Sequence, residues 1–72
     1  MIEHDRVDSS MISTVGYDKE EEILEIKFHN GSLYRYEGVP VGEYYDMIQA
    51  DSVGKYFNQN LKNAGYPYEK LS

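Results

Sequence analysis

The stretch NGSLYRYEGVP, Asn30 to Pro40, decides how this chain folds. It opens on Asn30-Gly31, the strongest short hairpin signal, because both residues tolerate positive φ. It closes on Val39-Pro40, where proline withdraws an amide donor and pre-sets φ for a helix start. Between these marks, Ser32–Glu37 is a returning strand in which Tyr34 and Tyr36 flank Arg35. Its partner is Ile23–Phe28, where Leu24, Ile26 and Phe28 share one face and Glu25 and Lys27 the other, the alternation of a half-buried strand.

Two hairpin registers fit this stretch. A two-residue Asn30-Gly31 turn pairs Lys27 with Tyr34 and Glu25 with Tyr36, which lays both rings opposite the Leu24/Ile26/Phe28 face as an open aromatic strip. A three-residue His29-Asn30-Gly31 turn with a glycine bulge pairs Ile26 with Tyr34 and Leu24 with Tyr36 instead. Both rings then join the core, their hydroxyls emerge at the rim, and Arg35 points outward. One residue of slip exchanges wall for platform.

Working outward, Ser10–Tyr17 is rich in β-branched residues and is expected as a strand, with Met11, Val15 and Tyr17 on one face and Ile12 and Thr14 on the other. The run DKEEE, Asp18–Glu22, is a charged connection. After Pro40, Val41–Ala50 suits a short helix with Tyr44, Met47 and Ile48 at i, i+3 and i+4. Ser52 is a good N-cap for a second helix over Val53–Lys62, whose core stripe is Val53, Phe57, Leu61 and Ala64 with Tyr56 beside it. Gly65 and then Pro67 mark its end. The first eight residues show no period and are expected to be a loose end. The expected architecture is α+β: a three-stranded antiparallel meander followed by two short helices packed on one face, β-β-β-α-α, in a single domain spanning residues 1–72.

With 72 residues, the chain buries only about 60% of the surface it exposes when unfolded. It contains no cysteine, which excludes disulfide staples and zinc–thiolate sites. No apolar run is long enough for a membrane span, and MIEHDRVDSS lacks the pattern of a signal peptide, so the expected location is cytoplasmic. The net charge of −6 opposes nonspecific binding to phosphate backbones. That charge is uneven: eight acids in residues 1–32 face Arg6, Lys19 and Lys27, whereas from Ser52 onward Lys55, Lys62 and Lys70 face Glu69 alone. Tyrosine is the compositional outlier, with eight copies against two phenylalanines and no tryptophan. Such rings suit either a core with wet hydroxyls or an interface.

The runs VDSSMISTVGYD and LEIKFHNGSLYRYEGVP, and the stretch from Tyr44 through ADSVGKYFNQNLKN to YPYEKL, closely resemble the KTSC domain. That family is named for the carboxyl-terminal extension of some lysyl-tRNA synthetases and also occurs as small free-standing bacterial and phage-type proteins. The resemblance covers Val7 to Leu71. It is carried by the Tyr34-x-Tyr36 pair, the Val39-Pro40 step and the motif Ala50-x-Ser52-x-Gly54-x-Tyr56-Phe57-Asn58. It implies a small α+β fold with no established activity, and RNA binding by association with the synthetase.

The residues expected to form a nucleic-acid site are Tyr34, Arg35, Tyr36, Lys55, Asn58 and Lys62. Exposed rings can stack bases and the cations can hold the backbone, an affinity that falls steeply with salt. Asn58 alternatively ties its helix to a nearby strand or loop backbone. Gly54 marks either close packing or a bare amide nest for an anion. No catalytic or metal site is expected: His4 and His29 have no serine–acid partner at a recognisable spacing, the Glu20–Glu22 run lacks calcium-loop spacing, and no cofactor motif is present. The chain is therefore expected to be a non-catalytic binding module, monomer or homodimer. Its partner is RNA or, alternatively, another protein or its own copy meeting a tyrosine-rich surface that includes Tyr44, Tyr45, Tyr66 and Tyr68 beside an acidic flank.

Overall fold

The computed structural model describes residues 2–72; Met1, the first residue of the expected loose end, lies outside the described residues. The glycine-bulge register is the one adopted. Ile26 pairs with Tyr34 and Leu24 with Tyr36. The amide of Gly31 donates to the carbonyl of Phe28, and the amide of Phe28 donates to the carbonyl of Ser32. Gly31 sits at φ 94°, a conformation that glycine adopts without steric cost. The Asn30 side chain accepts from the Ser32 amide at 2.9 Å and locks the turn.

The sheet is larger than the sequence suggests. Five antiparallel strands run in chain order: β1 (His4–Arg6), β2 (Ile12–Asp18), β3 (Ile23–Phe28), β4 (Leu33–Glu37) and β5 (Tyr68–Lys70). The three-stranded meander is thus only the centre of a five-stranded sheet. The residues expected to trail loosely supply β1, and the segment after Pro67 returns to pair with β4 as β5. Both added strands have three residues and polar or exposed side chains. They are held by backbone ladders that leave almost no periodic trace in a sequence.

A bulge interrupts the β2–β3 ladder between Ile12 and Thr14. Ile12 pairs with Phe28 and Val15 with Ile26, so both point at the helices, although simple alternation puts them on opposite faces. One inserted residue adds a buried isoleucine to the core.

Two helices cover that face. Helix α1 (Val41–Gln49) follows Pro40 and buries Met47. Helix α2 (Val53–Tyr56) is capped by Ser52, whose side chain accepts from the Lys55 amide, and it runs on without a break into a π-helical turn, Phe57–Leu61. The Lys62 amide donates to the carbonyl of Phe57, the i→i+5 bond of a π turn. The Asn60 side chain donates to the carbonyl of Tyr56 at 3.2 Å, supplying a local partner where the helical pattern changes.

The core comprises Ile12, Val15, Leu24, Ile26, Tyr36, Val39, Met47, Val53, Phe57 and Leu61. Ala64, expected in the helical stripe, is exposed because the helix has ended before it. Gly54 is explained by close packing: a Cβ there would sit 3.0 Å from Ser9 Oγ and 3.3 Å from Met11 Cε.

The two motif tyrosines differ in burial. Tyr36 is 6% exposed and belongs to the core, whereas Tyr34 is half-buried against it. In urea denaturation, Tyr36→Ala is therefore expected to cost about 3–5 kcal/mol, a large share of the stability of so small a domain. Tyr34→Ala should cost about 1–2 kcal/mol. Equal losses at the two positions would contradict this division of roles.

Candidate functional site

On the helical side of the sheet, the hairpin turn, β4, β5, the Ser10–Met11 segment and the π-helical turn enclose a cleft of about 650 Å³. The register builds its wall. Tyr34 and Tyr36 project side by side from β4, with ring centroids 6.4 Å apart and planes 25° apart. Tyr68 from β5, paired with Tyr36 across the ladder, adds a third ring 5.6 Å from Tyr36 and 6.1 Å from Tyr34. Beneath them, Phe57 meets Tyr36 edge-on at 5.5 Å, and Phe28 meets Tyr34 edge-on at 5.7 Å. Edge-to-face contacts of this kind hold the rings from below; Tyr34 and Tyr68 keep surface on the open space, while Tyr36 is nearly closed off.

The rim is polar but scarcely charged. His29, Asn30, Ser32, Asn58, Lys62 and Asn63 line it, and among the described residues the lining contains no carboxylate. Of the six residues picked from the sequence, the fold brings Tyr34, Tyr36, Asn58 and Lys62 to this one cleft. Arg35 lies on the opposite face of the sheet, because adjacent strand residues alternate, and it binds Glu25 there. Lys55 is exposed on α2 and does not line the cleft. The Asn58 amide donates to Met11 Sδ at 3.6 Å rather than to a backbone carbonyl, so the expected backbone tie is replaced by a weak side-chain contact. Tyr68, expected on a protein-contact surface with Tyr44, Tyr45 and Tyr66, lines the cleft instead, and Asn63 lay outside the sequence reading. Placing Tyr68 in the site requires knowing that its segment returns as a strand.

Burial, with Tyr34 and Tyr68 close by, pushes the Tyr36 phenol above its ordinary value. The cleft thus presents ring faces and neutral hydrogen-bonding groups with a single lysine, an arrangement that suits a planar, polar-edged ligand.

The KTSC domain family model matches residues 8–66. The chain belongs to this family. The matched region holds β2, β3, β4 and both helices; β1 and β5 fall outside it. The KTSC chain is 44% identical over 63 residues to an uncharacterized protein of Stutzerimonas stutzeri, covering 88% of this chain and 89% of that one. It is 34% identical over 65 residues to a lysine–tRNA ligase of Nostoc punctiforme, covering 90% of this chain but only 11% of the ligase. The crystal structure of a KTSC domain protein from Yersinia pestis superposes with a TM-score of 0.90 at 32% identity, covering 100% of both chains.

The opposite face of the KTSC sheet carries a different constellation. Glu25, at the centre of β3, is 7% exposed. Its Oε1 accepts from His4 Nε2 at 2.8 Å, and its Oε2 accepts from Arg35 Nη2 at 2.9 Å. With the His4 proton on Nε2, the Thr14 hydroxyl donates to Nδ1 at 2.9 Å and orients the ring. Gly16, opposite both His4 and Glu25 in the ladders, leaves the space this cluster needs. A Cβ at Gly16 would lie 2.7 Å from Glu3 O, His4 Cδ2 and Ile2 Cγ2. The carboxylate thus ties β1 to β3 and β4 across the sheet, a role for His4 that its position in a polar terminus did not suggest.

Burial of Glu25 opposes its ionisation, but the hydrogen bonds from His4 and Arg35 and the Arg35 charge outweigh this and hold its carboxyl below the ordinary value of 4.5. A depressed carboxyl stabilises the fold above its unfolded value, and that contribution is lost as pH falls through the lower folded value. Glu25→Gln is therefore expected to cost about 1–3 kcal/mol at neutral pH. The difference between variant and parent should shrink as the solution is acidified below 4.5. Denaturant melts across that range check both statements; a difference independent of pH would refute the ionic role.

Proposed function

We propose that this KTSC domain is a non-catalytic binding module whose aromatic cleft takes unpaired bases of single-stranded RNA. The observation carrying this reading is the cleft itself: three tyrosine rings over a phenylalanine floor, rimmed by amides, one histidine and one lysine, with no carboxylate in the described lining. A net charge of −6 opposes RNA binding only where the charges lie close, and here the wall is free of them. The recurrence of the domain within lysine–tRNA ligases supports the same direction.

The physical division of labour is between stacking and positioning. Each base stacked on a tyrosine face gains about 1–3 kcal/mol, whatever the base. Asn58, Asn63 and His29 line the cleft with hydrogen-bonding groups, His29 Nε2 already lying 2.8 Å from the Ser9 carbonyl, and Lys62 offers a single phosphate contact. With Arg35 on the far face and Lys55 off the cleft, counterion release is small. The steep salt dependence expected from a site with the three cations Arg35, Lys55 and Lys62 is replaced by a shallow one.

Fluorescence anisotropy with a short single-stranded oligoribonucleotide tests the reading. The log–log salt slope should be about −0.7 for one neutralised phosphate. Tyr34→Leu, which keeps apolar packing but removes the stacking face, should weaken binding by about 1–3 kcal/mol with the fold intact. Lys62→Ala should flatten the salt slope. A steep slope, or binding indifferent to Tyr34→Leu, would refute the cleft as the site.

A further inference from the structure

A second concave surface lies at the other end of β3, where the start of the chain, the β2–β3 connection and α1 meet. It forms a groove of about 760 Å³. Its walls are aromatic. Tyr17 from β2 and Tyr44 from α1 stack face to face, with centroids 4.6 Å apart and planes 8° apart, and Tyr45 leans against Tyr44 at 5.6 Å. Tyr17 is fixed from behind by the hydrogen bond its hydroxyl donates to the Val39 carbonyl. Tyr45 is 47% exposed.

The charge here is the inverse of that in the RNA cleft. Glu3, Asp5, Asp18 and Glu20 line the groove against Lys19 alone. None of these four carboxylates forms a salt bridge among the described residues. Burial first, and then Glu22 and Asp18 beside Tyr17 and Asp5 beside Tyr44, push these phenols up. An acidic rim alone would be an ordinary solvated surface. The electron-rich ring faces inside a concave acidic rim add a second attraction for the same kind of group, because ring quadrupoles and carboxylates both favour a cation.

We propose that this groove is a docking site for a basic protein segment, with a lysine or arginine side chain against the Tyr44/Tyr45 rings and its charge facing Glu3 and Glu20. The choice of a basic partner rests on charge complementarity. The groove repels nucleic acid and would leave its carboxylates unpaired against a neutral peptide. This second site is independent of the RNA reading, lying at the opposite end of the sheet from Tyr34 and Lys62. A single chain could therefore hold a basic protein segment and a stretch of RNA at once.

Two-dimensional NMR titration of the whole protein with a short oligolysine peptide, repeated with the same peptide acetylated on its lysines, tests the proposal. Saturable shifts should concentrate on Tyr17, Tyr44 and Tyr45 and vanish with the acetylated peptide. Tyr45→Ala, at an exposed position, should weaken binding about threefold, the scale of one surface cation–ring contact. The double variant Glu3→Gln with Glu20→Gln should weaken it by about fivefold at low salt. Tyr34→Leu should leave it unchanged, so failure here and failure of the RNA reading are separately visible. Three results would overturn the proposal: shifts spread evenly over all acidic surfaces, binding that survives Tyr45→Ala at full strength, or equal binding of the acetylated peptide.

Discussion

The pairing of β3 with β4 is the constraint on which the rest of the molecule depends. With Ile26 opposite Tyr34 and Leu24 opposite Tyr36, the tyrosines are committed to the helical side and Arg35 to the other. A one-residue slip would turn Arg35 onto the core face beside Leu24 and Ile26 and put Tyr34 and Tyr36 on the opposite face with Glu25. The turn is built with Gly31 at positive φ but not Asn30, whereas a two-residue type I′ turn needs both, and the register is set globally by where apolar area is needed. A chain of 72 residues with two phenylalanines and no tryptophan has little other aromatic area for its interior. Tyr36 fills that need while Tyr34 fills it in part, and the unfilled part becomes the wall of the cleft.

The central strands and both helices were legible because side-chain periodicity announces them. Leu24, Ile26 and Phe28 alternate, Met47 lies three residues beyond Tyr44, and Val53, Phe57 and Leu61 recur every fourth residue. Three features were not legible, each for a physical reason. The edge strands His4–Arg6 and Tyr68–Lys70 are secured by backbone hydrogen bonds, and three polar or exposed residues carry no period to detect. The bulge before Thr14 breaks alternation in β2, so Ile12 is assigned to the wrong face by counting. The π-helical turn keeps the fourfold spacing of an α-helix while changing the hydrogen-bond partners. The site follows the same division. The tyrosine pair, Asn58 and Lys62 were recoverable from local pattern, whereas Tyr68 and the exclusion of Arg35 follow only from strand pairing.

Net charge is a poor guide to what such a sheet can bind, since its two ends differ. The β2–β3 connection carries Lys19 among Glu20, Glu21 and Glu22, with the Asp18 side chain accepting from the amides of Glu20 and Glu21 to close the turn. The hairpin turn at the other end is His29-Asn30-Gly31-Ser32, without a carboxylate. A strand of six residues separates the two turns, a span of about 20 Å and so beyond the screening length of physiological salt. An anion at the aromatic cleft is thereby shielded from the acids that dominate the net charge.

On the proposed binding role, the same rings would serve stability and recognition, which limits how far either could be improved alone. Tyr36 closes the core over Phe57, and its neighbours Tyr34 and Tyr68 rest on it. Replacing Tyr34 by a fully apolar residue would bury well but lose the polar rim and the broad face that a planar ligand needs. A more polar residue would loosen the packing on Tyr36 and, through it, the seat of the π-helical turn. Tyrosine meets both demands because its ring packs while its hydroxyl stays in contact with water. In a chain with no disulfide, stacking a ligand on these rings covers apolar surface that folding left open. Binding and folding then draw on the same rings and the same burial of apolar area, and a ligand in the cleft must stabilise the folded chain.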